Sequence, residues 1–348
     1  MLSDELYEKA FAYFETKLWK NLYDTYLFAV KFSDGEIGYC SVMGELGECI
    51  SLAVYVGNEG LASYYDILSG AAGAYDEETS FNMLISQNCI QCSLESKSGL
   101  FPDELKEFKS FIVRTGKTIK GQKKYIHFSR YSPNCVPWYV KNKKDLSYIE
   151  QALEAATEVA GKLKEKSKRE LGFPNDDDTE DQKEMPILSK TKNGFSWKML
   201  PFPENVLVPY FVPELSESTV QKMADFNRNG HIECKIFRLP IPIQNKKTEV
   251  PRFPIFMMCV DANNGMIVAQ PEMIADENED LKLLDTFANM FISQGILPES
   301  LLAFDDRTVR FLKNFCLQTG TPLHIEQTRF ADDAFEHMMQ FMGGMKGQ

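Results

Sequence analysis

Hydrophobic and polar positions alternate over residues 26–61, where the chain runs YLFAVKFSDGEIGYCSVMGELGECISLAVYVGNEGL. The turn sequences SDG and GELGE divide this stretch into three predicted strands. In the third strand every second residue is aliphatic, which is typical of a strand with one strongly apolar face: Ile50, Leu52, Val54 and Val56. The glycines of GNEG, which follow, are explained by a turn and the start of a helix. The pattern predicts an antiparallel meander that acts as scaffold.

Helical and strand-like patterns flank the meander. Apolar residues recur on one face of a first helix that begins near Ser3, and two more helices follow the meander. CIQCSLE and YIHFSRY alternate as strands on either side of a helix that starts at Pro102, and a long helix spans about 144–171. Residues 1–171 are therefore predicted to form an N-terminal domain with the order α-β-β-β-α-α-β-α-β-(β)-α. Because the meander and the helices are segregated, the expected fold class is α+β.

A polar segment, GFPNDDDTEDQKEMP, follows at residues 172–186 and carries six acidic residues. It has no apolar face, so we predict that it is an exposed acidic linker. The second domain is then expected over residues 187–348.

In this second domain, three predicted strands are followed by alternating helices and strands. HIECKIFR is a long strand, and the hairpin VDANNGMIV contains the Asn-Gly sequence that is typical of a tight turn. The order β-β-β-α-β-α-β-α predicts a mixed sheet covered by helices, and it is also the element order of the ribonuclease H-like fold. The last helix, which is rich in Phe and Met, is expected to fold back onto this sheet.

Composition and charge narrow the function classes. With 348 residues, of which 44% are hydrophobic and 25% charged, the chain has enough apolar material for two cores. The net charge of −12 argues against general binding to nucleic acid or to anionic membranes. The first residues lack the pattern of a secretion signal and no apolar run has the length of a membrane span, so we expect a cytoplasmic protein. The eight cysteines are spread through apolar runs, which is typical of reduced thiols.

Two blocks of the sequence resemble bacterial families. The strings YCSVMG and AVYVGNEGL, followed by YSPNCVPWYV and a helix, resemble a family catalogued only as a domain of unknown function. The strings VDANNGMIV and LPESLLAFDDRTVRFLKNFCLQTGTPLHIE resemble a second uncharacterised domain that is often found behind the first. The resemblance implies a cytoplasmic bacterial protein of two domains with no assigned activity. It transfers no catalytic residue.

Four aspartates of the second domain are candidates for metal-assisted catalysis. The ribonuclease H-like fold places carboxylates on its first strand, at the end of its fourth strand and on its last helix, where two Mg²⁺ or Mn²⁺ ions assist phosphodiester cleavage. Asp261 ends an early strand, Asp305 and Asp306 follow the strand SLLAF, and Asp332 begins the last helix. Asp261 also suits a turn, and Asp306 and Asp332 also suit helix caps, so a structural role competes with the catalytic one.

Cys89 and Cys92 have the spacing of half a zinc site or of a redox pair. No second pair with this spacing exists in the sequence, and residues three apart in a strand point to opposite faces, which disfavours joint ligation. A zinc-stabilised regulatory protein is therefore a third alternative.

A basic loop precedes the strand YIHFSRY and contains Lys117, Lys120, Lys123 and Lys124. Such a cluster suits an anionic ligand, although in an acidic chain it is more often a solvated loop. Because the whole chain is acidic, nucleic acid is not the expected partner.

These observations favour a non-catalytic binding or protein-interaction module for which no cofactor is predicted. The expected partner is another protein, and a homo-oligomer is the alternative. A divalent-metal phosphodiesterase and a zinc-stabilised regulator are the competing hypotheses.

Overall fold

The computed structural model describes residues 2–71, 76–119, 124–175, 182–203, 206, 208, 211–269 and 273–345. The chain divides into two compact units, Met1–Val208 and Pro209–Gln348. Each unit has its own main sheet and its own hydrophobic clusters. The predicted two-domain α+β architecture is confirmed.

The described part of the first unit contains five α-helices and eight strands. Its helices are α1 (Asp4–Thr16), α2 (Gly57–Ala71), α3 (Glu77–Ile85), α4 (Pro102–Thr115) and α5 (Lys143–Lys162). Its strands are β1 (Leu27–Lys31), β2 (Ile37–Met43), β3 (Ser51–Val56), β4 (Cys89–Glu95), β5 (Tyr125–Tyr131), β6 (Trp138–Tyr139), β7 (Glu184–Thr191) and β8 (Gly194–Pro201). The predicted meander corresponds to β1, β2 and β3, and α2 follows it as expected.

These strands form one sheet in the order β6-β5-β4-β3-β2-β1-β7-β8. Neighbouring strands are antiparallel except β1 and β7, which run parallel with Ala29 beside Ile187. Because consecutive antiparallel strands need only short turns, the sequence signals the meander clearly. The parallel pair joins distant segments and has no such local signal.

Both faces of this sheet are buried, although the sequence predicts a single apolar face for β3. Leu52 and Val54 join a cluster with side chains of α1, α4 and α5. Ala53 and Tyr55 join a second cluster with α2 on the opposite face. Tyr55 supplies much of that second contact, since its ring lies 5.2 Å from the ring of Tyr64, measured between centroids. A tyrosine and an alanine carry little hydrophobic signal, which explains why the second buried face was missed.

Residues 184–201 belong to the first unit, whereas the sequence places them in the acidic linker and the second domain. They form the β7–β8 hairpin, and β7 pairs with β1. Gln182 fixes the approach to this hairpin, because its side-chain amide donates to Leu27 O and accepts from Leu27 N, both at 2.9 Å. Residues 176–181 of the predicted linker lie outside the described residues.

The described part of the second unit contains four helices and seven strands. Its helices are α6 (Glu217–Met223), α7 (Glu279–Gln294), α8 (Asp306–Thr319) and α9 (Arg329–Met345). Its strands are β9 (Asn227–Arg228), β10 (His231–Arg238), β11 (Ile255–Asp261), β12 (Ile267–Ala269), β13 (Ile296–Leu297), β14 (Ser300–Ala303) and β15 (Leu323–Ile325). From β10 onward the main elements follow the predicted order, and the short parallel pair β9 and β13 was not predicted.

The second sheet has the strand order β12-β11-β10-β14-β15. β10, β11 and β12 are antiparallel neighbours, while β14 runs parallel to both β10 and β15. This is the predicted mixed sheet.

Helices cover both faces of the second sheet. Alternate residues of β10 such as Ile232 and Ile236 pack with α7 and α8, and Phe237 packs on the other face with α9. The ring centroids of Phe237 and Phe335 are 4.7 Å apart. The prediction that the Phe- and Met-rich last helix folds onto its own sheet is confirmed. Phe341, near its end, is exposed.

Gly60 and Gly161 test this packing as a matched pair of helical glycines. A Cβ at Gly60 would lie 2.7 Å from the main-chain carbon of Tyr55, whereas a Cβ at Gly161 meets nothing within 4 Å. We expect Gly60→Ala to lower the free energy of unfolding by about 1–3 kcal/mol, because α2 must move away from β3. Gly161→Ala should raise it by about 0.5–1 kcal/mol through helix propensity alone.

Urea unfolding followed by circular dichroism measures both values. Equal effects of the two substitutions would show that α2 does not approach β3 as closely as described.

Candidate functional site

Two of the aspartates predicted to bind catalytic metals have separate structural roles. Asp261 Oδ1 accepts hydrogen bonds from the main-chain N–H groups of Asn263 at 2.8 Å and Asn264 at 3.2 Å, so it shapes the turn after β11. Asp332, in the first turn of α9, accepts a hydrogen bond from Lys235 Nζ at 3.0 Å. The negative charge of Asp332 is therefore compensated by the ammonium group of Lys235 on β10.

Asp305 is the N-cap of α8. Its Oδ1 accepts a hydrogen bond from Thr308 N at 2.8 Å, and its Oδ2 accepts one from Thr308 Oγ1 at 2.7 Å. Thr308 Oγ1 in turn accepts from Ile236 N at 2.8 Å, which joins the start of α8 to β10. Asp306 points to solvent, with a side chain that is 94% exposed, and lies 3.5 Å from Arg310.

The four aspartates do not form a metal site. In the part of the chain that the structure describes, no group of three or more His, Cys, Asp or Glu side chains is placed to hold a metal ion. Asp261, Asp305, Asp306 and Asp332 are all among the described residues. The order of elements that suggested a ribonuclease H-like fold is therefore not accompanied by the carboxylate arrangement that its chemistry needs.

Substitutions at Asp305 and at its exposed neighbour Asp306 can distinguish the loss of a helix cap from the loss of a negative charge alone. We expect Asp305→Ala to lower the free energy of unfolding by about 1–2 kcal/mol, because the first turn of α8 loses its cap. Asp306→Ala should change it by less than about 0.5 kcal/mol, since that carboxylate is solvated. Chemical denaturation at pH 7 measures both. A larger loss for Asp306→Ala would refute the assignment of the cap.

Cys89 and Cys92 lie on opposite faces of β4. This placement contradicts the zinc hypothesis, which needs both thiols on one side. Cys89 belongs to the cluster that includes α2, and Cys92 to the cluster that includes α1 and α5. Burial raises the pKa of Cys89 to about 12 and the pKa of Cys92 well above its ordinary value. Zinc requires thiolates that converge on one ion, so this pair cannot form half of a zinc site.

Of the four lysines predicted to form an anionic-ligand loop, the structure describes two, and one of these two already contacts α1. Lys120 and Lys123 lie outside the described residues. Lys117 Nζ is 2.8 Å from Glu8 Oε2 and 4.9 Å from the centroid of the Phe11 ring, so α1 already binds it. Lys124 is exposed. The anionic-ligand hypothesis for this loop thus has Lys124 as its one uncommitted side chain within the described segment.

The structure brings together a serine, a histidine and a carboxylate that the sequence did not connect. His231 Nδ1 lies 2.8 Å from Ser300 Oγ, and His231 Nε2 lies 3.5 Å from Glu299 Oε2. A nucleophilic serine must be open to its substrate, whereas Ser300 is buried at the start of β14 beside its parallel neighbour β10. The three residues therefore join two strand ends and do not form a catalytic triad.

A cavity of about 210 Å³ lies at one end of the first sheet. We call it the Asp145 cavity, and its walls come from strand ends and from the first turns of α2 and α5: Glu36, Val56, Glu59, Asn88, Cys89, Ile90, Arg130, Lys144, Asp145 and Tyr148. Because neighbouring strands are antiparallel, the end of β3, the start of β4 and the end of β5 lie side by side at the same end of the sheet. The sheet order thus assembles polar residues that are far apart in sequence.

Arg130 is held in the wall of the cavity by main-chain and side-chain acceptors. Its Nη1 donates to Cys89 O at 3.0 Å and also to Tyr131 O, and its Nη2 donates to Asn88 Oδ1 at 2.7 Å. Its Nε is 3.8 Å from Asp145 Oδ2, which is longer than a hydrogen bond. The guanidinium group is therefore committed to the ends of β4 and β5.

Asp145 is the third residue of α5, whose N-cap is Asn142. Burial raises the pKa of the Asp145 carboxyl, and the charges of Arg130 and Lys144 only partly oppose this effect. Within the described structure, no side-chain or main-chain group donates a hydrogen bond to this carboxylate. It is a partly desolvated acceptor at the wall of an open cavity.

Lys144 and Tyr148 serve a different carboxylate. Tyr148 Oη donates to Asp34 Oδ2 at 2.6 Å, and this hydrogen bond lowers the pKa of Asp34. Lys144 Nζ is 3.7 Å from the same oxygen and 5.4 Å from the centroid of the Tyr148 ring. The cation is thus drawn toward the turn between β1 and β2.

The cavity was not predicted from the sequence, in which the meander was interpreted as scaffold. The usable signal was the position of polar residues at strand ends, namely Glu36 before β2, Asn88 before β4 and Arg130 near the end of β5. That signal becomes readable only when the spatial order of the strands is known.

Comparison with known families agrees with this architecture. Residues 4–179 match the family model described as Domain of unknown function (DUF7309), and the chain belongs to this family. Residues 219–339 match a second model, Domain of unknown function (DUF6930). The predicted resemblance to two uncharacterised families is confirmed, and a search of curated proteins finds no match. Among the described helices, none is long and apolar enough to cross a membrane.

Proposed function

We propose that this protein is a non-catalytic binding module and that its ligand presents an ammonium group to the Asp145 cavity. The observation that carries the proposal is the Asp145 carboxylate, which is partly buried and accepts no hydrogen bond within the described structure. A desolvated carboxylate gains most from a charged donor, because both desolvation and the missing hydrogen bond are then compensated.

The charges of the cavity support a cationic ligand. Three of its lining residues are acidic, Glu36, Glu59 and Asp145. Of its two cations, Arg130 donates its hydrogen bonds to carbonyl and amide oxygens, with its Nε 3.8 Å from Asp145 Oδ2, and Lys144 lies beside Asp34. The acceptors of the cavity therefore exceed its available donors, which is the opposite of what an anionic ligand needs.

The size of the cavity limits what enters it. Pockets for drug-sized ligands have volumes of roughly 300–1,000 Å³, and this one measures about 210 Å³. It therefore suits one ammonium-bearing group, either the side chain of a lysine on a partner protein or a small free amine. The first source agrees with the predicted protein partner, and the experiment below separates the two.

Isothermal titration calorimetry with three probes tests the proposal. The probes are a capped Gly-Lys-Gly peptide, the same peptide acetylated at its ε-nitrogen, and n-butylammonium. We expect the ε-ammonium peptide to bind and its acetylated form not to bind. Binding of n-butylammonium without the peptide would assign a small-molecule ligand. If neither amine binds, or if acetylation leaves affinity unchanged, the proposal is wrong.

The variant Asp145→Asn should weaken binding of the ammonium probe by about tenfold or more, because it replaces a charged acceptor with a neutral one of the same shape. Asp103→Asn is the matched control. Asp103 is an exposed acid on α4 that pairs with Lys141 and does not line the cavity. Equal losses in the two variants would indicate general electrostatic attraction and would contradict a specific site.

Binding should also depend on pH with a defined sign. Since burial raises the pKa of Asp145 above the ordinary 3.8, its carboxylate takes up a proton at a higher pH than an exposed aspartate does. As pH is lowered, the affinity for the ammonium probe should therefore begin to fall at a higher pH than the titration of an exposed aspartate would give, while the lysine probe stays charged throughout. The Asp145→Asn variant should show a flatter pH profile. Parallel profiles for variant and wild type would exclude Asp145 as the titrating group.

A further inference from the structure

Strand β8 is the last strand of the first sheet as far as the described residues show. Its eight residues pair with β7 from Glu184 beside Pro201 to Thr191 beside Gly194, and within the described residues β8 has no neighbour on its other side. Proteins usually shorten, bend or charge such an edge, because its unpaired N–H and C=O groups otherwise bind another strand. Here Lys198 is the single charged side chain of the strand.

The turn between β7 and β8 determines which main-chain groups are unpaired. The loop has two residues, 192 and 193, so the flanking pair Thr191 and Gly194 is hydrogen-bonded. Hydrogen-bonded and non-hydrogen-bonded pairs alternate along an antiparallel ladder. The N–H and C=O groups of Phe195, Trp197 and Met199 therefore point away from β7.

These three residues are placed symmetrically about Trp197. The hairpin turn limits the free edge at one end, and Pro201, which has no N–H group, limits it at the other. A two-fold axis at Trp197 would set Trp197 opposite itself and Phe195 opposite Met199 of a second copy. Each of these three pairs exchanges two hydrogen bonds, so the contact satisfies all six outward N–H groups of the two strands.

We propose that two copies of this chain pair through β8 in this antiparallel register and so form a continuous sheet across a two-fold axis. The charge of the strand favours the same register. With Trp197 on the axis, Lys198 lies opposite Ser196 of the second copy. A shift of one pair toward Pro201 would set Lys198 directly opposite itself, and like charges in that position destabilise a sheet.

The occupant is a second copy because the edge is self-complementary. An isologous contact uses the same patch on both partners, and here one short segment supplies every donor and every acceptor. A different protein could also add a strand at this edge, and the experiment distinguishes the two cases.

Two substitutions at Ser196 provide an internally matched test. Ser196→Lys sets a lysine opposite Lys198 twice in the dimer, whereas Ser196→Glu sets a carboxylate there twice. Both remove the same hydrogen bond from Ser196 Oγ to Ser189 O, so a difference between them comes from charge. We expect a dimer dissociation constant that is roughly threefold to tenfold weaker for the lysine variant and tighter by a similar factor for the glutamate variant.

Sedimentation equilibrium of the full chain at low salt measures these constants, and circular dichroism checks that each variant is folded. The double variant Ser196→Lys with Lys198→Glu should restore the dimer, because the attractive pairs return with their charges exchanged. A monomeric wild type at about 100 μM, where even weak homodimers are populated, would overturn the proposal. So would a dimer that responds equally to lysine and glutamate, because its contact would then lie elsewhere.

Discussion

The parallel ladder between β1 and β7 holds the first domain together as a single sheet. It joins segments that are far apart, as the hydrogen bonds between Leu27 and Gln182 show across 155 residues of sequence. The entropy lost on closing so long a loop rises only with the logarithm of its length, so a few well-formed pairs are sufficient to stabilise the closure. With β2 on one side and β7 on the other, β1 has no free edge. The sheet then continues to β8, its last strand among the described residues.

Both proposed interactions come from polar groups that lack a hydrogen-bond partner within the described structure. At the ends of β3, β4 and β5 the incomplete group is a carboxylate, Asp145, in a small cavity. Along β8 it is the main chain itself. Buried or aligned polar groups are almost always hydrogen-bonded in folded proteins, so a group without a partner is a natural place to look for a ligand. The rest of the described sheet shows dense internal pairing.

The sequence predicted what local patterns determine. The meander, the buried stripe of α5 and the order of elements in the second domain follow from period and from turn residues, and the structure has them, although α5 ends at Lys162 and not near residue 171. The family resemblance was equally readable, because it depends on strings such as YCSVMG. The opposite faces of Cys89 and Cys92 followed from strand geometry alone.

What the sequence could not show depends on contacts between distant segments. β7 and β8 were assigned to the wrong side of the domain boundary because an acidic segment precedes them and their partner is β1. Asp305 was a candidate ligand until its bonds to Thr308 appeared, since capping and metal binding select the same residue type. Asp145 drew no attention as one acid near the start of a helix. Its significance comes from Arg130 and from the start of β4, which only the strand order brings near.

The position of β7 also affects how the first domain is made and how it is dissected. The family match ends at residue 179, before β7 begins at Glu184. A fragment cut at that point would retain β1 with its sequence LFAVK but lose its parallel neighbour, so an apolar inner strand would become an edge that is open to aggregation. During synthesis, likewise, β1 cannot pair fully with β7 until the chain has been made as far as Thr191. The segment that folds is longer than the segment that the family model outlines.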